Sequence, residues 1–204
     1  MLKRKISLIS ALSLLIFAIP LVASSAPEVI KWKLQSAVPS GDPHMVLLNR
    51  FAANIEKMSG GRLKIEVLPS GAVVGAFEIL AAVNKGVIDA GMWWTHYATG
   101  KHPAAGLFNA PTGGAGTGLD QMGLLAWHLQ GEGRELYLEF YQKKLGMDVM
   151  PFLYAPDGPE AWGWFKKPAK SIEEFKKLRF RAPPGLPGEV YTEMGAKPVS
   201  MAGP

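Results

Sequence analysis

The most constraining feature of the sequence is an alternation of strand and helix patterns between residues 30 and 94. Residues 30–38 and 63–67 alternate apolar and polar side chains with a period of two, which is typical of β-strands with one wetter face. Residues 87–94 are more uniformly apolar, as expected of a strand that is buried on both faces. The sequence therefore predicts three strands in this segment.

Helical patterns separate these strands. Asp42 followed by Pro43 is a typical helix start, and Gly60 ends the pattern that it opens. Apolar residues recur between them at helical spacing, at Leu48, Phe51, Ile55 and Met58. A second helix is predicted from residue 77 to residue 85. Because strands joined by helices pair in parallel through right-handed crossovers, the order predicts an α/β lobe with a mainly parallel sheet.

The middle of the chain connects this lobe to a second α/β series. Residues 99–118 are rich in Gly, Pro, Ala and Thr, which predicts a long loop, and residues 119–145 contain a helical pattern. Ser171 and Glu174 have the spacing of a capping box, which opens a helix. Another helix is predicted to end at Gly195.

Four further strands belong to this second series, at residues 147–154, 162–165, 178–182 and 198–201. The chain ends at Pro204, directly after the last of these strands begins. The series then has no closing helix to cover its sheet, so we expect a truncated sequence.

The N-terminus has the pattern of a secretory signal peptide. Three basic residues, Lys3 to Lys5, precede an apolar run from residue 6 to residue 22, and small residues follow at 23–26. The run is shorter than the roughly 20 apolar residues of a membrane span and contains Pro20. We expect cleavage after Ser25 and export to the periplasm.

Charge and cysteine content exclude several kinds of protein. Removing residues 1–25 takes three positive charges and no negative charge from a net charge of +5, which leaves +2, so the basic balance gives no support to nucleic-acid binding. The chain has no cysteine. This excludes a disulfide, a thiolate metal site, a cysteine nucleophile and a lipid-modified cysteine anchor.

Motifs for catalysis or cofactor binding are absent. Residues 113–118 are glycine-rich but match neither the dinucleotide fingerprint nor the Walker pattern. The four histidines, at 44, 96, 102 and 128, show no metalloprotease spacing and are expected to be surface or core residues. No serine lies in a nucleophile-elbow sequence. We expect no catalytic residue and no organic cofactor.

Two arginines give the clearest candidate for binding chemistry. Arg179 and Arg181 lie on one face of the predicted strand 178–182, and its apolar residues lie on the other. A guanidinium pairs with a carboxylate through two parallel hydrogen bonds, so such an arginine suits an organic acid; a solvated strand face is the alternative. Five aromatic residues fit either core packing or a pocket wall: Trp93, Trp94, Tyr97, Trp162 and Trp164.

Several segments together resemble the solute-binding proteins of TRAP transporters, and most of all their α-keto-acid-binding branch. The segments are KWKLQSAVPSGDP at 31–43, MSGGRLKIEVLPSGAVVGAFEIL at 58–80, GKHPA at 100–104, and then GPEAWGWFKK, LRFRAPPGLPGEV and MGAKPVSM. The resemblance implies a two-lobed α/β periplasmic binding protein whose lobes close on a small organic acid. It also implies membrane subunits of a TRAP transporter as partners and dimer contacts in longer members.

The resemblance carries over to three residues. A strand arginine binds the substrate carboxylate in the family, and Arg181 matches it, which leaves Arg179 structural or solvated. Glu160 stands where the keto-acid branch has a glutamine that helps to hold a cation, so we expect Glu160 to bind Na⁺ or Ca²⁺ that bridges to the ligand. Tyr97 matches an aromatic position at the pocket mouth, whereas Trp93 and Trp94 are expected in the core.

The sequence departs from the family after Arg181, where Pro183 and Pro184 insert one residue and Pro187 replaces a small glycine. Members of the family also continue well beyond this length. The predicted organisation is a signal peptide at 1–25, a first lobe with its connecting helix at 26–146, and the start of a second, incomplete lobe at 147–204.

Two other functions remain open at this level. One is an exported α/β enzyme in which Arg181 orients an organic acid and Glu160 acts as a general base. The other is a nonfunctional remnant, because half of a closing cleft cannot enclose a ligand and a half-built lobe exposes apolar surface.

Overall fold

A three-stranded parallel sheet lies at the centre of the first part of the chain. The structure is a computed structural model that describes residues 28–108, 119–156 and 163–201. The strands are β1 (Ile30–Ser36), β2 (Leu63–Leu68) and β3 (Ala90–Met92), and their order in the sheet is β2-β1-β3. Leu34 of β1 pairs with Val67 on one side and Ala90 on the other. The predicted strand-helix-strand order and the parallel pairing are confirmed.

Helix α1 (Pro43–Met58) connects β1 to β2. Its start follows the predicted chemistry, because the Asp42 side chain accepts a hydrogen bond from the His44 backbone N–H at 2.8 Å. The buried face agrees with the predicted one at Leu48 and differs at Phe51 and Met58. Met45, Leu48 and Ala52 are buried, whereas Phe51 is 41% exposed and Met58 is 83% exposed. A spacing of three or four residues fits both faces, so the periodicity alone does not decide which face is buried.

A short 3₁₀ turn (Ala76–Glu78) and helix α2 (Ile79–Asn84) connect β2 to β3. β3 is shorter than the predicted strand at 87–94. At its start the Asp89 carboxylate accepts a hydrogen bond from the Lys33 backbone N–H at 2.8 Å. The Asp89 carboxylate thus bonds the Lys33 N–H in place of a backbone carbonyl of the neighbouring strand. Regular pairing between β1 and β3 therefore begins at Ala90.

Helical turns fill the middle of the chain. Two 3₁₀ turns follow β3, at Thr95–Ala98 and Pro103–Phe108. Helices α3 (Gln121–Gln130) and α4 (Gly133–Glu139) come next, and a π-helical turn at Phe140–Lys144 extends α4.

The segment after these helices is not a strand, although a strand was predicted at residues 147–154. Side chains bond its backbone instead. The Asp148 N–H donates to the Asn84 side chain at 2.7 Å, and the Val149 carbonyl accepts from the Gln142 side chain at 3.0 Å. Of the strand predicted at 162–165, residues 163–165 are described and form no strand.

A second, smaller sheet is built near the end of the chain. Strands β4 (Arg181–Ala182) and β5 (Val199–Ser200) pair in parallel, with helix α5 (Ile172–Phe175) before them and helix α6 (Leu186–Glu193) between them. Only half of the predicted capping box forms. The Ser171 hydroxyl accepts from the Glu174 N–H at 3.2 Å, but the Glu174 carboxylate accepts from the Lys170 N–H rather than from Ser171.

The two sheets organise two parts of the chain, which we call the first lobe (around β1–β3) and the second lobe (around β4–β5). The core of the second lobe is a cluster of four buried residues: Phe175, Ala182, Tyr191 and Ala196. The α/β fold with parallel sheets agrees with the predicted class. In the described ranges, no helix has the length and apolar character needed to cross a bilayer.

Candidate functional site

The exposed arginine of β4 is positioned by the small sheet beneath it. Ala182 and Phe180 point into the core of the second lobe, with Ala182 only 1% exposed, so the alternate residues Arg179 and Arg181 are exposed. The predicted division of this strand into an apolar and a basic face is confirmed. The Arg181 Nε donates to the Met201 carbonyl at 2.9 Å, just beyond β5. This hydrogen bond restrains the guanidinium at the end of the sheet.

The first lobe contributes a 3₁₀ turn directly after β3. Ligand sites of parallel α/β sheets lie beyond the carboxyl ends of the strands, which is where this turn lies. It carries His96 and Tyr97, whose rings are perpendicular with centroids 4.9 Å apart. Tyr97 is half-buried, and its ring lies edge-on to Phe77 at 4.6 Å.

The hydroxyl groups of two tyrosines form hydrogen bonds that hold this turn in place. The Trp93 indole N–H donates to the Tyr141 hydroxyl at 3.1 Å, and the Thr95 hydroxyl lies 3.1 Å from the same oxygen. Thr95 also lies 2.9 Å from the Tyr137 hydroxyl. Burial raises the pKa of the Tyr141 phenol far above its usual value, so its hydroxyl stays protonated and can donate. Trp93 and Trp94 pack against the core clusters, as expected.

The two lobes touch beside this turn. Gly185 of the second lobe lies so close to Thr99 that a Cβ placed on Gly185 would be 2.6 Å from the Thr99 Cγ2. Gly185 follows Arg181 by four residues, and Thr99 follows His96 by three. The arginine and the turn therefore lie next to the same contact between the lobes.

The pKa of His96 also indicates that Arg181 lies close to it. Burial, and then the positive charge of Arg181, lower the pKa of His96 from 6.5 to about 4. His96 is consequently a neutral ring at neutral pH. Its side chain lies in the first lobe and the charge that acts on it lies in the second.

Two open grooves are present, and the side chains of Arg181, His96 and Tyr97 line neither of them. One, of about 600 Å³, lies between the lobes at the contact itself, since Thr99 and Gly185 both line it, and its ionisable lining residues are Glu189 and Glu193. These carboxylates repel an acidic ligand. The other, of about 530 Å³, is lined by Lys31, Lys33 and neighbouring residues near the amino ends of the strands. That is the wrong end of a parallel sheet for a ligand site.

The other predicted site residue, Glu160, lies outside the described residues, as do Trp162, the signal-peptide segment 1–25 and the glycine-rich stretch 113–118. Trp164 is 94% exposed and lines neither groove. Across the three described ranges, no three His, Asp or Glu side chains gather in a way that would hold a metal ion.

The family model for bacterial extracellular solute-binding proteins, family 7 (DctP), matches residues 34–203. The chain belongs to this family. The predicted relationship to TRAP solute-binding proteins is thereby confirmed, and membership of family 7 agrees with the expectation of a binding protein rather than an enzyme.

Individual similar proteins agree with this assignment. A monocarboxylate 2-oxoacid-binding periplasmic protein of Nostoc sp. is 29% identical over 174 residues, which cover 85% of this chain and 45% of the relative. A TRAP periplasmic solute-binding protein from Colwellia psychrerythraea, solved with bound calcium and pyruvate, is 28% identical. Its TM-score is 0.69, over 85% of this chain and 51% of that one.

A third similar protein is a TRAP periplasmic solute-binding protein from Pseudoalteromonas atlantica with bound sodium and pyruvate. It is 25% identical with a TM-score of 0.69, over 86% of this chain and 51% of that one. The chain thus spans about half the length of these similar proteins. The predicted two-lobed binding-protein fold is confirmed by these similarities.

The sequence drew attention to Arg181 and Tyr97, and the structure brings both beside the contact between the lobes. It did not single out His96, which lies in the same turn as Tyr97, because no motif distinguishes that histidine from the other three. The available signal was its position, two residues after the predicted strand at 87–94, where the carboxyl ends of parallel strands place ligand-binding groups.

Proposed function

We propose that the chain is a periplasmic solute-binding protein that binds a small α-keto or hydroxy acid between its lobes. The observation that carries the proposal is the exposed Arg181, which β4 presents beside the contact with the first lobe. The names of the similar proteins support the class of ligand, since they specify a 2-oxoacid and pyruvate.

Arg181 has the chemistry for this role. Within the described residues its guanidinium makes one hydrogen bond, through Nε to the Met201 carbonyl. The edge formed by the two terminal nitrogens can pair with both oxygens of a carboxylate. Tyr97, on the facing turn, would contribute an aromatic wall to the same site.

A cation that bridges to the ligand completes the proposal. Glu160 would be its protein ligand, since a carboxylate oxygen binds Na⁺ or Ca²⁺ well but repels an organic acid when no cation is present. Two similar structures support this idea, since one was solved with bound sodium and pyruvate and the other with bound calcium and pyruvate.

The other parts of the proposal rest on the family resemblance. The partners would be the membrane subunits of a TRAP transporter. Residues 1–25 would be removed on export. The lobes would divide near residue 146, and the homodimer expected from the resemblance stays a prediction.

Calorimetric titration with 2-oxo and 2-hydroxy acids, with and without Na⁺ or Ca²⁺, tests the proposal. We expect cation-dependent binding that Arg181→Ala weakens by about 100-fold, because it removes a charge-assisted pair. Arg179→Ala is the matched control, since Arg179 is an exposed arginine two residues away. The proposal is wrong if a folded wild-type chain binds none of these acids, and equal affinity without a cation would remove Glu160 from the site.

A further inference from the structure

His96 is a buried side chain without polar contacts in the first lobe. It is 9% exposed, and neither ring nitrogen has a hydrogen-bond partner among the described residues. Folded proteins satisfy almost all buried polar groups, because an unpaired group loses its hydrogen bonds to water without replacing them. An unsatisfied imidazole therefore calls for a physical explanation.

Core packing alone does not provide that explanation. The neighbouring rings of Tyr97 and Trp94, at centroid distances of 4.9 Å and 6.5 Å, would contact a phenylalanine equally well. His128 has the same exposed fraction of 9%, yet neither of its ring nitrogens is both fully buried and unpartnered. The two unpaired nitrogens distinguish His96 from this second buried histidine.

The position of His96 points to a ligand. It lies beyond the carboxyl end of β3, in the turn that ends at the contact between Thr99 and Gly185. The charge of Arg181 reaches it from the second lobe and, together with burial, keeps the ring neutral. A neutral imidazole has one N–H donor and one acceptor nitrogen.

We propose that His96 is the hydrogen-bonding contact of the first lobe to the ligand, donating its imidazole N–H to the keto or hydroxyl oxygen of an acid whose carboxylate pairs with Arg181. This assignment rests on the function proposed above and adds the group that recognises the second functional group of the acid. Both lobes then contribute polar contacts, so the ligand bonds fully only when both lobes reach it.

The test compares two variants and two ligands. His96→Phe removes both nitrogens and keeps an aromatic ring, and His128→Phe makes the same change at the other buried histidine. Pyruvate and propionate differ in the keto oxygen. We expect His96→Phe to weaken pyruvate binding about tenfold and propionate binding hardly at all, because one hydrogen bond is lost. His128→Phe should leave both affinities unchanged.

A second readout separates ligand contact from a structural role. Because His96→Phe removes unpaired buried nitrogens, the unliganded variant should melt no lower than the wild type, whereas a structural histidine would lower the Tm. Nuclear magnetic resonance of the wild-type His96 ring nitrogens should show a large shift with pyruvate and a small one with propionate.

The outcomes distinguish the two proposals. Wild-type affinity of His96→Phe for pyruvate, together with loss of binding in Arg181→Ala, overturns the role of His96 and leaves the proposed function standing. If the wild-type chain binds no acid, both fail. If His96→Phe does not fold, the resonance experiment on the wild type decides, and ring nitrogens that do not respond to pyruvate overturn the assignment.

Discussion

Buried polar residues in this protein fall into two groups. Gln35 is 0% exposed, and its side chain donates to the Val74 carbonyl at 2.7 Å and accepts from the backbone N–H groups of Val73 and Val74. Both the nitrogen and the oxygen of its side-chain amide thus have hydrogen-bond partners, and these bonds hold the loop after β2 against β1. The ring nitrogens of His96 have no such partners among the described residues, and this difference is the basis for the ligand contact proposed above.

The pH dependence of stability should report His96. Burial, and then the charge of Arg181, lower the pKa of His96 from the ordinary 6.5 to about 4 in the folded protein. The Tyr97 ring also packs against the imidazole. As the pH falls from 6.5 to 4, the unfolded chain takes up a proton that the folded chain does not. The free energy of unfolding should therefore fall by about 3 kcal/mol over this interval and be retained above it.

Urea unfolding of the wild type and of His96→Phe at pH 7 and pH 4.5 measures this contribution. Carboxylates titrate in both proteins, so the difference between the two proteins isolates the histidine. The loss should be smaller in His96→Phe, and identical losses would contradict the lowered pKa.

At the scale of elements, the turn Thr95–Ala98 depends on a helix from another part of the chain. Its hydrogen bonds to Tyr137 and Tyr141 come from α4 and the π-helical turn, more than 40 residues away. The extra residue of the π turn shifts the side chains that follow it, and Tyr141 lies within it. This helix therefore helps to fix the position of His96 and Tyr97.

Removing the Tyr141 hydroxyl should cost both stability and affinity. Tyr141→Phe leaves the Trp93 N–H without this acceptor in a site where Tyr141 is 2% exposed, so we expect a loss of about 2 kcal/mol in the free energy of unfolding. Loosening of the turn should also weaken acid binding several-fold. Chemical unfolding and calorimetry measure the two effects.

Tyr154→Phe serves as the control for this element. Its hydroxyl donates to the His44 carbonyl at 3.2 Å, at the start of α1 and away from the turn. We expect it to lower stability without changing affinity. Unchanged ligand affinity in Tyr141→Phe would show that the turn keeps its position without this hydrogen bond.

At the scale of the whole molecule, the lobes meet through a contact that tolerates no side chain. Gly185 has φ of 91° and faces Thr99, and Leu186 lies near Gly106, where an added Cβ would meet the Leu186 side chain at an ordinary distance. The helix α6 that starts here also carries Tyr191 into the second core. The second lobe is therefore seated on the first through the start of α6.

Gly185→Ala should weaken ligand binding about tenfold, because its Cβ would push Thr99 and the lobes apart. Gly195→Ala is the control. Gly195 has φ of 87°, so both substitutions carry a similar backbone cost of about 1 kcal/mol. The Cβ of this control variant would meet the flexible Lys176 side chain rather than the other lobe. Calorimetry compares the two affinities, and equal affinities would show that the distance between the lobes does not govern binding.

The sequence predicted the secondary structure correctly where a local pattern is compatible with one kind of element. Period-two alternation located β1 and β2, and the Asp42-Pro43 start located α1, because strand faces and helix caps depend on neighbouring residues. It failed at residues 147–154, where the backbone bonds to the side chains of Asn84 and Gln142 rather than to a strand. The buried face of α1 also depended on contacts from elsewhere in the chain.

The candidate site divides in the same way. Arg181 followed from alternation along one strand together with the resemblance. His96 did not follow, because its lack of partners and its closeness to Arg181 are properties of two segments about 85 residues apart. Such a relation is absent from any local pattern, so only the tertiary structure shows it.

The strand order of the first lobe has a consequence for how the chain folds during synthesis. β1 is made first but lies in the middle of the sheet, and its partners begin 33 and 56 residues later, at Leu63 and Ala90 opposite Ile30 and Leu34. Until Leu68 is available both edges of β1 present unpaired N–H and C=O groups, and until Met92 is available the edge that pairs with β3 still does. Contacts of such sequence separation form slowly, so a holdase that shields this strand during that interval would raise the yield of folded protein.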